Sequence, residues 1–472
     1  MNRSEMNALE SYPQGIPWSQ ALAALTIIGL CTWLFYPSKG NISAPLIGCC
    51  WPWKPKFLAG IRFATGAQDI ISEGYTKCKD SSFRISRTDG DVLVLSRKYL
   101  DELHNAPVKR LSSMQGLIKN FGGYYSGIHL LGESDVGTHA LQTKITPNLP
   151  KLSDDMRDEV DYALKMDMPS CHVTMTQMAM RFVPPWMRPL LDLILPSSRK
   201  YKASVRDGKK MMIPEIERRR HLEETDPDYV KPDDLLQAMM DLSSPGEKQS
   251  QPEDLAHRQL LVTVVAGHST AAAASHALFD MAARPECLDE LRGEAVEVLR
   301  DEGGYWGKQS LGKLAKMDSF LRESQRMNPP SLLGFHRIVQ DPSGITLNDG
   351  LHIPYGTHIA IAPHSVSSDP TIINQPETFN ALRYFERRRE NTTEATRHQH
   401  VTADKDHLHF GYGTWSCPGR FLASAELKMV LVELLLRYDF RYPEGSSRPV
   451  NRNIEEFPYV DVETPLLVRR RR

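Results

Sequence analysis

The residues best equipped for chemistry in this 472-residue chain lie near its C-terminus, in Phe410-Gly411-Tyr412-Gly413-Thr414-Trp415-Ser416-Cys417-Pro418-Gly419. They are spaced F-x-x-G-x-x-x-C-x-G. Gly411, Gly413 and Gly419 admit positive φ and let backbone approach a flat ligand closely. Residues 420–436 follow as an apolar helical run through Phe421, Leu422, Ala425, Leu427, Met429, Val430, Val432, Leu434 and Leu435. That order sets Cys417 beside a helix N-terminus, where the dipole and unpaired N–H groups favour a thiolate. A cysteinate presented in this way can bind a haem iron, and a thiolate axial ligand favours O–O cleavage over simple oxygen carriage. A lone cysteine is ordinarily an inert small hydrophobe, but Phe410, the glycines and the helix stand in register around this one.

The pattern resembles that of cytochrome P-450, a haem-thiolate monooxygenase, and the resemblance runs from the N-terminal segment to the cysteine loop. It implies a mainly α fold with a small β-sheet subdomain, heme b held by Cys417 as axial ligand, and Phe410, Gly411, Gly413 and Gly419 shaping its seat. It also implies NADPH and dioxygen as co-substrates, with electrons delivered by a separate NADPH-cytochrome P-450 reductase.

The elements that must position this loop are legible upstream. In Phe320-Leu321-Arg322-Glu323-Ser324-Gln325-Arg326, Glu323 and Arg326 are three apart and share a helix face. By itself such a pair is common and worth little. Its place before Pro329-Pro330 and two strand-like stretches is similar to the family's buried Glu-Arg-Arg network, which Arg383 would complete. Residues 252–281 read as one long helix carrying Ala266-Gly267-His268-Ser269-Thr270. Small residues let such a helix pass a flat ligand, and adjacent hydroxyls can open the backbone ladder and bind water. His268 stands where the family usually has an acid, with Ser269 at the threonine position. A register one residue along pairs Ser269 with Thr270 instead. An imidazole can relay protons near neutral pH.

Haem propionates need cationic partners. The family often has an arginine or histidine two residues before the cysteine, where this chain has Trp415. Arg337 matches a family position that serves the same end. His139 and Lys144 lie where the family's W-x-x-x-R helix would be, without matching it.

Residues 16–36 carry no charge and are long enough to cross a bilayer. The weakly charged N-terminus and long apolar run argue against a signal peptide. Lys39, Lys54, Lys56, Arg62 and Lys79 then place the remainder in the cytosol. The expected organisation is a lumenal tail at 1–15, a single transmembrane helix at 16–36, a hinge at 37–48 and a haem-binding catalytic domain at 49–472, in the endoplasmic reticulum membrane. A net charge of −1 gives no nucleic-acid signal, and 41% hydrophobic residues suffice for a large core. Seven scattered cysteines without paired spacing fit a reducing compartment. Residues 91–96 read as a strand, 204–223 and 287–299 as helices, and 223–253 as surface around a helix at 234–242. His398, His400, His407 and His409 read as a solvent-facing loop, since no ligand set with zinc-like spacing accompanies them. The arginine runs at 218–220, 387–389 and 469–472 read as solvated faces.

The Pro-rich segments and the Cys417-Pro418-Gly419-Arg420-Phe421 context resemble fungal members that act on terpenoids, indole diterpenes and other secondary metabolites. A lipophilic small-molecule substrate follows, with oxygen insertion as the reaction and oxidative coupling or desaturation as the alternative. A haem sensor would share the loop but not need the hydroxyl-bearing helix.

Overall fold

The computed structural model describes residues 42–48, 56–149, 176, 179–183, 185–304, 306, 310–390, 394, 397–461 and 463–471. The expected transmembrane segment at 16–36 lies outside the described residues. No described helix is long and apolar enough to cross a membrane.

Helices dominate. Those that position the site are α1 (Lys56–Lys77), α2 (Ser113–Asn120), α3 (Pro196–Thr225), α4 (Leu235–Leu242), α5 (Pro252–Ala282), α6 (Pro285–Asp301), α7 (Ala315–Met327), α8 (Pro363–Ser367), α9 (Arg383–Glu390) and α10 (Arg420–Arg437). Proline opens α5 and α6, where its missing N–H and fixed φ cost nothing. Asp234 caps α4 by accepting the Gln237 N–H at 2.8 Å. On α6 the buried residues Leu288, Leu291, Ala295 and Val298 recur every three or four positions, the stripe that an amphipathic helix turns inward. That stripe meets Ala277, Phe279 and Met281 of α5, Met317, Phe320 and Leu321 of α7, and Leu427, Leu431, Val432 and Leu435 of α10 in one core. Burying each large side chain contributes about 1.5–3 kcal/mol, so the helix carrying the cysteine loop is fixed against the helix carrying Glu323.

Twelve strands are described: β1 (Leu46–Ile47), β2 (Ser82–Arg87), β3 (Gly90–Leu95), β4 (Leu111–Ser112), β5 (Gly334–Val339), β6 (Ile345–Thr346), β7 (His352–Ile353), β8 (His358–Ile361), β9 (Tyr438–Arg441), β10 (Arg452–Ile454), β11 (Phe457–Tyr459) and β12 (Leu467–Arg470). Six form one sheet in the order β1-β2-β3-β8-β5-β4, and the other six pair as two-stranded ribbons. β3 realises the strand expected at 91–96. Its Val92, Leu93, Val94 and Leu95 are all buried, because both faces of the sheet are covered.

Two expectations change. β1 pairs in parallel with β2, and Ala44 is buried in the core, so the described part of the stretch read as a hinge at 37–48 packs into the folded body. The basic runs are not uniformly solvated. Arg219 is buried and holds Asp234 through two bonds at 2.8 and 2.7 Å, and Arg388 reaches Asp318 at 2.8 Å.

Candidate active site

The cysteine loop is built by short-range bonds that pull the chain back on itself. Gly411 N–H donates to the Leu408 carbonyl at 2.8 Å, and Cys417 N–H to the Phe410 carbonyl at 2.7 Å. Ser416 returns to the Gly413 carbonyl through its N–H at 3.1 Å and its hydroxyl at 2.9 Å. Two glycines are required by this path. Gly411 has φ 82 and Gly413 φ 70, and a Cβ on Gly413 would stand 2.8 Å from the His104 carbonyl oxygen. Gly419 departs from the sequence reading. It is the N-cap of α10 with φ −87, open to any residue, and its contribution is space: beyond its immediate chain neighbours, nothing lies within 4 Å of where its Cβ would be.

Cys417 is exposed, whereas Cys287 is buried and Cys78 half-buried. Protein nonetheless surrounds the sulfur closely enough that burial pushes the Cys417 thiol up. The Gly419 and Arg420 N–H groups and the Arg420 charge pull it the other way without cancelling the effect. The helix terminus alone therefore does not hold a thiolate here; a metal cation would remove the proton outright.

α5 runs without a break, so the opening expected in its backbone ladder is absent. The Ser269 hydroxyl donates to the Val265 and Ala266 carbonyls at 3.0 and 3.2 Å, bonding back along the helix. The Thr270 hydroxyl, by contrast, has no hydrogen-bond partner among the described residues. The ends of α5 are buried, yet Thr263, Val264, Val265, Ala266, Gly267, His268 and Ser269 are exposed in succession, and a Cβ on Gly267 would meet nothing within 4 Å. An apolar helix that is bare at its centre and packed at its C-terminal end against α10 borders open space.

Arg337 supplies the clearest sign of a missing partner. It lies on β5, where Phe335 takes φ 55 and the pairing with β8 slips between Gly334 and Arg337, a bulge that re-aims the strand. Its guanidinium is buried over the Phe335 ring at 4.1 Å and donates to the His336 carbonyl at 2.9 Å. No carboxylate faces it among the described residues, and burial alone pushes it down to about 10. A buried guanidinium lacking an acid is the complement of a haem propionate. Together with an exposed cysteine, the open space over Gly419 and the bare centre of α5, the residues present fit haem. His139 and Lys144 are exposed, and Trp415 sits in the turn Gly413–Trp415.

Glu323, Arg326 and Arg383 meet. Glu323 is fully buried and accepts Arg326 Nε and Nη2 at 2.9 Å, Arg383 Nε at 3.2 Å and the Asn380 N–H at 3.0 Å. The remaining donors go to the Ser367, Asn374 and Thr378 carbonyls.

Sequence reasoning missed the surroundings of this network. His400 and His407 are buried, so the histidines do not form a solvent-facing loop. His407 and His409 stack edge-on at 4.5 Å, His407 Nε2 lies 3.1 Å from Gln325 Oε1, and burial holds His400 down to about 3. The alternating spacing was the available signal, since it puts such pairs on one side of an extended chain. A second cluster joins Arg87 to Asp89 at 2.6 Å and to Glu456 at 2.7 Å, with Arg181 bonded to Glu455. Asp89 apart, these partners lie so far from one another in the chain that they leave no local signature.

Comparison with known proteins gives the family. The family model described as Cytochrome P450 matches residues 154–458. The chain is 60% identical to cytochrome P450 monooxygenase terK of Tolypocladium album, over 96% of this chain and 95% of that protein. It is 47% identical to cytochrome P450 monooxygenase ltmK of Epichloe festucae (97% and 94% covered) and 38% identical to cytochrome P450 monooxygenase AN1598 of Emericella nidulans (96% and 92% covered). Matched over this much of its length and at these identities, this chain belongs to the cytochrome P450 family of monooxygenases.

Proposed function

We propose that the chain inserts one atom of dioxygen into a lipophilic secondary metabolite of terpenoid, indole-diterpene or alkaloid type, using electrons from NADPH passed through a separate reductase. The observation that carries the reading is Cys417, exposed at the N-terminus of α10 on a loop that two positive-φ glycines shape. Haem, when bound there, supplies the activation of dioxygen for insertion into carbon–hydrogen bonds.

The chain's own residues divide the remaining work. Cys417 holds the iron as a thiolate, with Phe410, Gly411, Gly413 and Gly419 fixing its approach. Arg337 offers a propionate the counter-charge it lacks. His268, Ser269 and Thr270 hold and hand on protons at the bare centre of α5. Val264 and Val265, apolar and exposed on the same turns, favour a lipophilic substrate. Glu323, Arg326 and Arg383 keep α7, α9 and the segment between them in one rigid piece. The segment 16–36 anchors the chain in the endoplasmic reticulum membrane, with the tail at 1–15 lumenal and the catalytic domain cytosolic. Naming of the fungal relatives as monooxygenases supports the reaction class.

The test is the mass difference between precursor and product in a fungal host with and without the gene, repeated in microsomes with NADPH and labelled dioxygen. A gain of one labelled oxygen is the expected result. Loss of two hydrogens without label would replace insertion by desaturation, and a doubled mass less two hydrogens would replace it by coupling.

A further inference from the structure

Of the histidines that precede the cysteine loop, His400 touches three elements at once. Its side chain is buried. Its backbone N–H donates to Asp318 Oδ2 of α7 at 2.9 Å, and its ring Nδ1 lies 3.0 Å from Ser424 Oγ of α10. The ring meets Phe410 edge-on, with centroids 5.3 Å apart and planes at 70°. Phe410 in turn accepts the Cys417 N–H through its carbonyl at 2.7 Å. Asp318 also binds Lys428 of α10 at 2.7 Å, which ties the two helices together independently of His400. The contacts close a ring: α7 to His400, His400 to Phe410, Phe410 to Cys417, Cys417 into α10, and α10 back to His400 through Ser424.

We propose that His400 is a positioning residue for the ligand loop, clamping Phe410 against the first turns of α10 and so fixing where the Cys417 sulfur stands. Elsewhere the loop leans on residues 104–105, through the Tyr412 ring 5.1 Å from that of His104 and the Thr414 hydroxyl donating to Asn105 Oδ1 at 3.2 Å, but those contacts do not reach α7 or α10. On the side of α7 and α10, the Phe410 ring carries the loop's shape to its surroundings, and His400 is its aromatic partner. Outer residues that orient a metal ligand commonly matter about 10–100-fold in metal affinity or activity. The inference rests on the reading of Cys417 as haem ligand.

The test uses the haem-loaded full chain. His400→Asn keeps a polar atom toward Ser424 and removes the ring; His400→Phe keeps the ring and removes the bond; Ser424→Ala removes only the hydroxyl, a mild change that leaves the fold intact. Val298→Ala, which thins the α6 side of the core, serves as a control for general destabilisation. Two quantities are read at constant haem content: the rate at which the thiolate-type carbon-monoxide band of the reduced protein converts to the non-thiolate form, and deuterium uptake in the peptide 408–419. His400→Asn is expected to convert at least about tenfold faster than the parent with faster uptake. His400→Phe should fall between, and Ser424→Ala should shift both in the same direction by less. Conversion at the parent rate in all three would overturn the proposal, as would acceleration no greater than in Val298→Ala at matched melting temperature. Absence of the thiolate-type band from the parent would overturn the ligand reading itself, an outcome distinct from unchanged variants.

Discussion

Arg337 gives a prediction whose two halves have opposite sign. Its guanidinium is pushed down to about 10 from an ordinary 12.5 by burial, with no acid to offset the cost. At about 1.4 kcal/mol for each tenfold change in proton affinity, holding that charge costs the haem-free fold about 3 kcal/mol. Replacing Arg337 by Met removes the charge while keeping an apolar chain over Phe335. The haem-free protein should gain up to about 3 kcal/mol, a sizeable share of the roughly 5–15 kcal/mol that holds a typical protein folded. The haem-loaded protein should lose a charge-assisted hydrogen bond worth about 1.5–3 kcal/mol. That loss corresponds to haem release about ten- to a hundredfold faster. Denaturant unfolding of the haem-free chain reads the first quantity, and haem transfer to excess acceptor globin reads the second. Arg337→Lys keeps the charge without the planar fork, and should weaken haem retention without stabilising the haem-free fold. The reasoning is refuted if Arg337→Met destabilises the haem-free chain, or if haem leaves it at the parent rate.

Other outcomes follow from the same geometry. Glu323→Ala strands Arg326, whose remaining oxygen acceptor is the Ser367 carbonyl at 3.1 Å, and should cost about 3–5 kcal/mol, seen as a lowered denaturant midpoint and poor haem incorporation. Thr270→Ala should raise peroxide formed per NADPH more than Ser269→Ala does, because the Ser269 proton is committed to Val265 and Ala266; parent-level coupling in both would remove the two hydroxyls from proton delivery. Glu426 is pushed up to about 7 by burial on α10. The unfolded chain therefore releases that proton before the folded one, and stability should fall as pH rises from the ordinary carboxyl range to about 7. Glu426→Gln should flatten that segment of the pH–stability curve measured by denaturant unfolding.

What the sequence made legible was local. The cysteine motif, the Glu323 and Arg326 pair, the long helix around His268 and the strand at 91–96 each announce themselves through spacing along one element, the kind of pattern that side-chain periodicity records. Even there, spacing gave possibility and not conformation. It could not say that Gly419 keeps an ordinary φ, or that Ser269 bonds back to its own helix, since both depend on what the neighbouring chain leaves open. The histidine run misled for a related reason. Polar composition argues for solvent, but His400 is enclosed between Asp318 of α7 and Ser424 of α10, and His407 between Gln325 of α7 and Tyr384 of α9, and burial holds both neutral. Pairings across the whole chain, such as Arg87 with Glu456, have no sequence signature at all. The arginine without an acid was recognisable only once every neighbour was in place.

The most direct test of the account is the reduced carbon-monoxide difference spectrum of the haem-loaded protein beside that of Cys417→Ser. The account predicts a thiolate-type band in the parent and its loss in the variant, with haem still present. A variant that kept the band would place the ligand on another cysteine and contradict the assignment of Cys417.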